Sequence, residues 1–250
     1  MKWVVCPSIS QGELGVPGVV WASVPIPEAV PGGEDWARLP PAEAAYGRGL
    51  KGDKRRREWF AGRSAARAVL RALGAPDAAL LPDDEGAPVL HDPDPARVED
   101  LEVSLSHGGR WALCAGHRRA KDGFRLGVDL VDDADAVRAA RVLDRHLADG
   151  ERGLLAGLPD DGARARAAAL MWGAREAVAK ATRTGMFAFA LLDVHVTALD
   201  LDAGRLEVDY PGCALGVRHL LPGTTLIWAT VAAEAAKAAQ TAADRRRQGA

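Results

Sequence analysis

The sequence predicts an α+β fold made of two similar halves, and two observations favour it. Helix-like and strand-like segments alternate in the same order in both parts of the 250-residue chain, which is long enough for two domains of about 120 residues. A weak internal repeat also relates the two parts. At an offset of 108 the recurring residues are Leu39/Leu147, Glu43/Glu151 and Leu50/Leu158; at 111 they are Gly62/Gly173 and Gly74/Gly185. The repeat predicts two α+β halves with a cleft between them.

Composition narrows the class of protein. A formal net charge of −2 and a hydrophobic fraction of 48% are typical of a soluble globular protein and argue against a nucleic-acid binder. The three cysteines, Cys6, Cys114 and Cys213, show neither disulfide nor zinc spacing, which favours a reducing cytoplasm. The N-terminus lacks an export signal and no segment is apolar enough to span a membrane. We therefore expect a cytoplasmic protein.

In the first half, the β-branched and aromatic residues of 18–26 predict a strand that leads into a Pro/Gly-rich loop. Residues 40–73 show a helical pattern, which Gly74 and Pro76 should terminate. The Pro- and Asp-rich residues 75–100 predict a loop with one short strand. Further strands are expected at 101–106 and 111–115, and a strand at 126–131 begins the second half.

The second half repeats this order. Residues 134–147 and 162–184 predict helices, the latter ending at Gly185. Residues 191–232 alternate β-rich segments with turns at 202–204, 211–212 and 222–223. The basic tail, about 243–250, is expected to be the fraying, disordered end of a last helix. We place the boundary between the halves at 122/123.

Charged residues share one face of the long helix predicted in the second half. Trp172, Glu176 and Lys180 follow at spacings of four residues, so they lie along one side. A Glu/Lys pair one turn apart is often only a weak surface ion pair. Here alanine and valine surround the pair, which indicates that Glu176 and Lys180 face a partly closed site.

Asp129 lies on an apolar strand or at its end, where a carboxylate is costly unless it is paired or binds a cation. It could instead cap the helix that follows, a role that Asp132 and Asp133 would serve equally well. Two carboxylates from different elements, Asp129 and Glu176, suit a hard cation such as Mg²⁺ that also binds phosphate oxygens and water.

Two further segments could bind phosphate. Ser106 and His107 precede two glycines at the end of a strand, an arrangement suited to a phosphate, although a plain turn is an alternative. The basic segment 51–71 opens a helix, where cations oppose the helix dipole unless solvent screens them or an anion binds. Arg55 and Arg63 lie eight residues apart on one face of that helix. A solvated basic face is the simpler interpretation.

Together and in this order, these four blocks resemble the 4′-phosphopantetheinyl transferase superfamily, in its larger, monomeric, surfactin-synthetase-activating type. Its signature is Gly-Val/Ile-Asp, found here at 127–129, followed by Trp-x-x-Lys-Glu-x-x-x-Lys, which reads Trp-Gly-Ala-Arg-Glu-Ala-Val-Ala-Lys at 172–180. The strand-end pair Ser106-His107 and the Gly-Arg of the basic helix, at 62–63, match as well. The resemblance runs from about residue 39 to 232.

The resemblance implies the fold and the coenzyme A site. Two pseudo-symmetric α+β halves would hold coenzyme A in the cleft between them, with residues 1–122 on its 3′-phosphate side. Arg55, Arg63 and His107 would bind the 3′-phosphate, with Ser106 beside it. Lys180 would neutralise charge on the other phosphates.

The resemblance also implies the chemistry. Asp129 and Glu176 would bind Mg²⁺, and Glu176, or a water that it holds, would take the proton from a serine of an acyl or peptidyl carrier protein. Asp129, Glu176 and Lys180 are therefore the expected catalytic residues. The product would be the holo-carrier protein, with release of 3′,5′-ADP. Such carriers serve fatty-acid, polyketide or nonribosomal-peptide synthesis.

Three positions depart from the family pattern, the first being Arg175, which replaces the common lysine. The family usually has a second acid two residues after the aspartate, where this chain has Val131. Either Asp132 or a water would then supply the third ligand. The Gly-Lys-Pro that contacts the adenine side reads Gly-Ala-Pro at 86–88, without the cation.

Two other functions compete with transfer. A weakly catalytic homologue would bind coenzyme A or a carrier protein without transferring the group, and Val131 is the feature that keeps this alternative open. An unrelated protein could bind nucleic acid through the basic helix and the tail arginines 245–247, which the net charge argues against. For the carrier protein, which is acidic, we expect contact near Arg138, Arg141, Arg145 and the Gly185-Met186 pair.

Overall fold

The computed structural model describes residues 10–84, 86–120, 123–185, 193–221 and 223–248. The chain separates into two compact units, Met1–Ala120 and Lys121–Ala250. Within the described residues no helix is both long and apolar enough to cross a membrane. Cys6, Met186, Leu191 and Pro222, to which the sequence-based expectations refer, lie outside the described residues.

The first unit packs a long helix on an antiparallel sheet. The strands have the order β1-β2-β6-β5, and Ala61, Ala65 and Val69 of α3 pack on the face formed by alternate residues of β2, β5 and β6. The elements are β1 Ser10–Glu13, β2 Val20–Pro25, α1 Gly33–Trp36, α2 Pro41–Gly49, α3 Asp53–Ala72, β3 Ala79–Pro82, β4 Pro88–His91, β5 Leu101–Gly108 and β6 Trp111–Arg118. Small side chains on α3 allow the helix to lie close to the sheet.

The second unit has the same plan. Its sheet has the order β10-β11-β7, again antiparallel, with the long helix α6 against β7 and β11. The elements are β7 Phe124–Asp132, α4 Ala136–Leu143, α5 Asp149–Ala156, α6 Asp161–Thr182, β8 His195–Asp200, β9 Arg205–Asp209, β10 Cys213–Leu221, β11 Thr224–Ala232 and α7 Ala233–Gln248.

The two units therefore match element by element. Strand, short helix, long helix, hairpin and two sheet strands follow one another as β2, α2, α3, β3-β4, β5 and β6 in the first unit. The same series is β7, α5, α6, β8-β9, β10 and β11 in the second. The sheet orders β2-β6-β5 and β7-β11-β10 agree as well. The predicted α+β class with two similar halves is confirmed.

Four local expectations are corrected. The helical segment 40–73 is two helices, because Gly52 adopts a φ of +88° between them. Residues 75–100 contain a two-stranded hairpin, not one strand. Helix α5 was not expected. Helix α6 ends at Thr182, and the left-handed residue that follows is Arg183, with a φ of 55°.

The expectation that the C-terminal tail is frayed and disordered is also corrected. Helix α7 continues through the basic residues to Gln248 instead of fraying. Both Arg246 guanidinium ends donate to the Asp193 carboxylate, and Arg247 donates to the Thr184 carbonyl at 2.9 Å. The tail arginines bind residues just after α6 and just before β8, which keeps the last turns helical.

Candidate active site

Strand β7 holds Asp129 against α6. Because side chains alternate along a strand, Gly127, Asp129 and Val131 share one face. A Cβ atom on Gly127 would lie only 1.8 Å from the Ala177 carbonyl oxygen of α6, so only glycine allows the helix to sit this close to the strand. The glycine of the Gly-Val-Asp motif therefore allows α6 to pack closely against β7.

Gly173 of α6 faces Asp129 from the other side of this contact. A Cβ on Gly173 would lie 3.3 Å from the Asp129 Oδ2 atom and 2.4 Å from a methyl group of Val131. The helix thus passes directly over the carboxylate. Asp129 and Val131 both point towards α6, as the alternation requires.

Lys180 supplies the partner that a carboxylate in this position needs. Its Nζ atom donates to Asp129 Oδ1 at 2.7 Å and to the Val128 carbonyl at 3.0 Å. The side chains are 12% (Asp129) and 29% (Lys180) exposed. Helix capping was the alternative role for Asp129. Asp132 takes this role instead, because its Oδ1 atom accepts from the Ala134 N–H at 2.9 Å.

Glu176 lies within the electrostatic reach of both charged groups. Burial raises the pKa of its carboxyl above the ordinary value; the Lys180 ammonium lowers it in part, and the Asp129 carboxylate raises it further. A raised pKa brings a carboxylate closer to the range in which a general base works. The structure thus brings together Asp129, Glu176 and Lys180, the residues expected to be catalytic.

The donor set fits a hard cation in part. Asp129 and Glu176 offer carboxylate oxygens, and the burial of Glu176, which Lys180 offsets only in part, favours a further positive charge beside it. Among the described residues, no group of three or more acidic, histidine or cysteine side chains is arranged to hold a metal ion. Two carboxylates suit a Mg²⁺ ion that takes its other ligands from phosphate and water.

The basic start of α3 is only in part the solvated face that was the simpler interpretation of its sequence. Arg56 donates to the Leu50 carbonyl at 2.8 Å and Arg57 to the Glu28 carbonyl at 3.0 Å, so both are used to hold the preceding loops. Arg55 is exposed to solvent. The cations of this segment are therefore divided between structural bonds and free surface.

Arg63 is buried, with an exposed fraction of only 6%. Its Nε donates to the Leu80 carbonyl at 2.7 Å, and its guanidinium lies 3.6 Å from the centre of the Trp59 ring. Burial lowers the pKa of Arg63 to about 10, which the Glu43 carboxylate partly opposes. Arg63 is thus a fixed cation inside the first unit, whereas Arg55 lies on its surface.

Ser106 and His107 point in opposite directions at the end of β5, as strand alternation predicts. Ser106 is buried and His107 is exposed. The His107 Nδ1 atom lies 3.8 Å from a Glu58 carboxylate oxygen, and the same oxygen lies 3.7 Å from Lys54 Nζ. The strand end is therefore close to the basic first turns of α3.

Arg175 is a residue whose role the sequence did not reveal. Arg175 occupies the position of a lysine in the family signature. It is fully buried, and its guanidinium donates to the carboxylate of the buried Glu151 at 2.6 Å. The internal repeat had already marked Glu151, as the counterpart of Glu43. That match is the signal that could have identified the pair.

Two protein-family models match the chain. The N-terminal domain of the 4′-phosphopantetheinyl transferases matches residues 51–116, and the 4′-phosphopantetheinyl transferase superfamily model matches residues 125–219. No curated protein matches the sequence significantly. Enzymes of this family are transferases that use coenzyme A and act on carrier proteins. The chain belongs to the 4′-phosphopantetheinyl transferase superfamily, with the N-terminal domain of its larger, surfactin-synthetase-activating type.

Proposed function

We propose that this protein transfers the 4′-phosphopantetheinyl group of coenzyme A to a serine of an apo acyl or peptidyl carrier protein. The observation that carries the proposal is the arrangement of Asp129, Glu176 and Lys180. An ammonium group and two carboxylates meet in a partly desolvated site between β7 and α6. Such a site suits a reaction at a charged pyrophosphate.

The reaction is a displacement at phosphorus. The carrier serine oxygen attacks the β-phosphorus of coenzyme A, and a new O–P bond forms. The bond from that phosphorus to the bridging oxygen breaks, and 3′,5′-ADP leaves with the bridging oxygen. Glu176, or a water that it holds, accepts the serine proton, for which its raised pKa is suited. The nucleophile belongs to the partner, so this chain needs none of its own.

Lys180 and Asp129 would order the site before the substrate binds. The ion pair holds the Lys180 ammonium beside the strand, where it can neutralise charge on the pyrophosphate. Asp129 and Glu176 would hold Mg²⁺, which offsets the charge of the phosphates and of the leaving group when bound. We propose that water supplies the third ligand position, since Asp132 is already used as a cap and lies on the opposite side of β7.

The first unit would bind the 3′-phosphate of coenzyme A. Arg55 and His107 are exposed, and Arg63 is a rigid cation held by Leu80 and Trp59. The proximity of the β5 end to the first turns of α3 supports a common site for Arg55 and His107. Ser106, expected beside them, is buried and points to the opposite side of β5. The exchange of lysine for alanine in the Gly-Ala-Pro at 86–88 predicts weaker coenzyme A binding.

Intact mass spectrometry tests the proposal. An apo carrier protein, incubated with the enzyme, coenzyme A and Mg²⁺, should gain the mass of one phosphopantetheinyl group. Glu176→Ala and Asp129→Ala should each lower the rate by several orders of magnitude, while Glu234→Ala, at an exposed glutamate of α7, should leave it unchanged. Equal rates in all four proteins would refute the assignment of the site.

A homologue that binds without transfer is the second candidate, and Val131 is the observation that favours it. The position that carries an acid in the family holds an apolar side chain packed on Gly173. Binding of coenzyme A without a mass gain on any of several carrier types would support this candidate and contradict transfer.

A further inference from the structure

Each unit contains a buried carboxylate that ties three elements together. In the first unit, Glu43 of α2 is fully buried. Its Oε1 atom accepts from the Leu80 N–H of β3 at 2.6 Å and from the Arg67 guanidinium of α3 at 3.1 Å. One oxygen therefore connects the short helix, the long helix and the hairpin.

The second unit repeats this contact with the equivalent elements. Glu151 of α5 accepts at Oε1 from the Val196 N–H of β8 at 2.8 Å and from the Arg175 guanidinium of α6 at 2.6 Å. Glu151 is 1% exposed and Arg175 is fully buried. We call each of these sets, Glu43/Arg67/Leu80 and Glu151/Arg175/Val196, a carboxylate clamp.

The two clamps agree in sequence register as well as in geometry. Glu43 and Glu151 are each the third residue of a short helix, and both the glutamates and the arginines are 108 residues apart. The same offset of 108 relates the repeated leucines and glutamates in the sequence. The long helices α3 and α6 therefore align at an offset of 108, and not at the offset of 111 that the glycines gave. The clamps support a duplication of one α+β unit.

One difference between the clamps has a local cause. The Glu151 Oε2 atom accepts from the Ala148 N–H at 2.9 Å, which closes the start of α5. The corresponding residue before α2 is Pro40, which has no N–H, and the Glu43 Oε2 atom is buried without a hydrogen-bond partner. The second clamp is therefore the more complete one.

The second clamp lies next to the catalytic residues, whereas the first does not. Glu176 directly follows Arg175, and Lys180 lies five residues beyond it on the same helix. At the offset of 108, the corresponding residues of α3 are Ala68 and Ala72. Helix α6 thus packs closely on β7 at Gly127. It is also connected to α5 and β8 through the bond of Arg175 to Glu151.

We propose that Glu151 and Arg175 are positioning residues for the transfer reaction: their clamp fixes α6 so that Glu176 and Lys180 meet Asp129. The proposal rests on the proposed function. Neither residue touches the reacting groups; both act through the position of α6. The first clamp holds α3 in the same way, but α3 has alanine at the positions that correspond to Glu176 and Lys180.

The test compares Glu151→Gln with Glu43→Gln, which remove the same charge from the two clamps. Steady-state transfer at saturating coenzyme A and carrier protein gives kcat, and thermal unfolding gives the melting temperature. We expect Glu151→Gln to lower kcat about 10- to 100-fold, the range seen when the support of an active-site ligand is removed, with little change in either KM. Glu43→Gln should leave kcat unchanged.

Arg175→Lys provides the conservative control. Lysine keeps a positive charge within reach of Glu151, so this variant should retain most of the wild-type kcat, whereas Arg175→Met should behave like Glu151→Gln. Should Arg175→Met fail to fold, the two glutamine variants still decide the matter. Equal kcat values for Glu151→Gln and Glu43→Gln, with melting temperature alone affected, would overturn the positioning role and leave the proposed function intact.

Crystal structures of the two glutamine variants give a readout that needs no activity. In Glu151→Gln, we expect Lys180 Nζ to move out of hydrogen-bond distance of Asp129 Oδ1; in Glu43→Gln, this contact should be kept. An unchanged contact in both variants would refute the proposal even if the wild-type protein transferred nothing to any carrier.

Discussion

Lys180 provides the principal electrostatic compensation at the proposed active site. It pairs with Asp129 and lowers the pKa of Glu176, whereas burial and Asp129 raise that pKa. The balance between these groups sets how much of Glu176 is ionised at a given pH.

The pH dependence of transfer should reveal this balance. A base must be ionised to accept a proton, so activity should fall as the pH decreases through the Glu176 pKa. Because that pKa is raised, the loss should begin at a higher pH than for an ordinary glutamate. In Lys180→Met, the lowering influence is gone and the acidic limb of kcat/KM should move to still higher pH.

Lys237→Met is the matched control, since Lys237 is an exposed lysine of α7. Its pH profile should coincide with that of the wild-type protein. An acidic limb of Lys180→Met that coincides with the wild-type limb would contradict the influence of Lys180 on the Glu176 carboxylate.

Val131 allows a test of the third ligand position. Its side chain shares the Asp129 face of β7, so Val131→Glu should place a carboxylate beside Asp129 and tighten Mg²⁺ binding, measured by calorimetry with coenzyme A present. Val131→Gln introduces a neutral side chain of the same size as glutamate and should not tighten Mg²⁺ binding. Weaker or unchanged Mg²⁺ binding in the glutamate variant would favour Asp132 as the ligand.

At the scale of elements, α4 has the properties of a docking surface for an acidic partner. Its outer face combines exposed apolar and basic side chains, namely Val137, Arg138, Arg141, Val142 and, in the turn that follows, Arg145. Val137 is 56% exposed and Val142 is 39% exposed, so this short helix presents two valines to solvent. Charge and exposed apolar area together fit an acidic carrier protein.

Charge reversal on this helix should therefore affect carrier recognition alone. We expect Arg141→Glu combined with Arg145→Glu to raise the KM for the carrier protein, with little effect on kcat, in steady-state kinetics. Arg97→Glu with Arg205→Glu changes the net charge equally at exposed arginines elsewhere and should leave the KM unchanged. If neither constant responds to the α4 variant, this surface is not the docking site.

At the scale of the whole molecule, the C-terminal helix stabilises the end of α6. Arg246 and Arg247 bind Asp193 and the Thr184 carbonyl, residues that flank segment 185–192. The Arg246→Ala/Arg247→Ala double variant should lower the melting temperature by a few degrees, mainly through the lost charge-assisted bond to Thr184.

Arg245→Ala is the corresponding control, because Arg245 is an exposed neighbour on the same helix turn. We expect it to melt like the wild-type protein in calorimetry. If the double variant also melts like the wild type, the tail does not stabilise the end of α6.

Much of the fold and site followed from local sequence patterns. Runs of β-branched, aromatic and apolar residues predicted β2, β5, β6 and β7, and helical spacing placed Glu176 and Lys180 on one face. Gly127 and Asp129 were recognised because the motif is short and contiguous. These features depend on neighbours in sequence, and such neighbours fix the local backbone and its side-chain directions.

Tertiary structure alone decided which charges are buried. Arg55 and Arg63 look equivalent in sequence, yet one is exposed and the other lies under Trp59. Arg175 occupies the position of the family lysine, and the structure shows that it bonds α6 to Glu151. Burial and ion pairing join residues far apart in the chain, so no local pattern contains them. The sequence by itself determined most of the elements and named the candidate catalytic residues; packing between elements determined which of them meet.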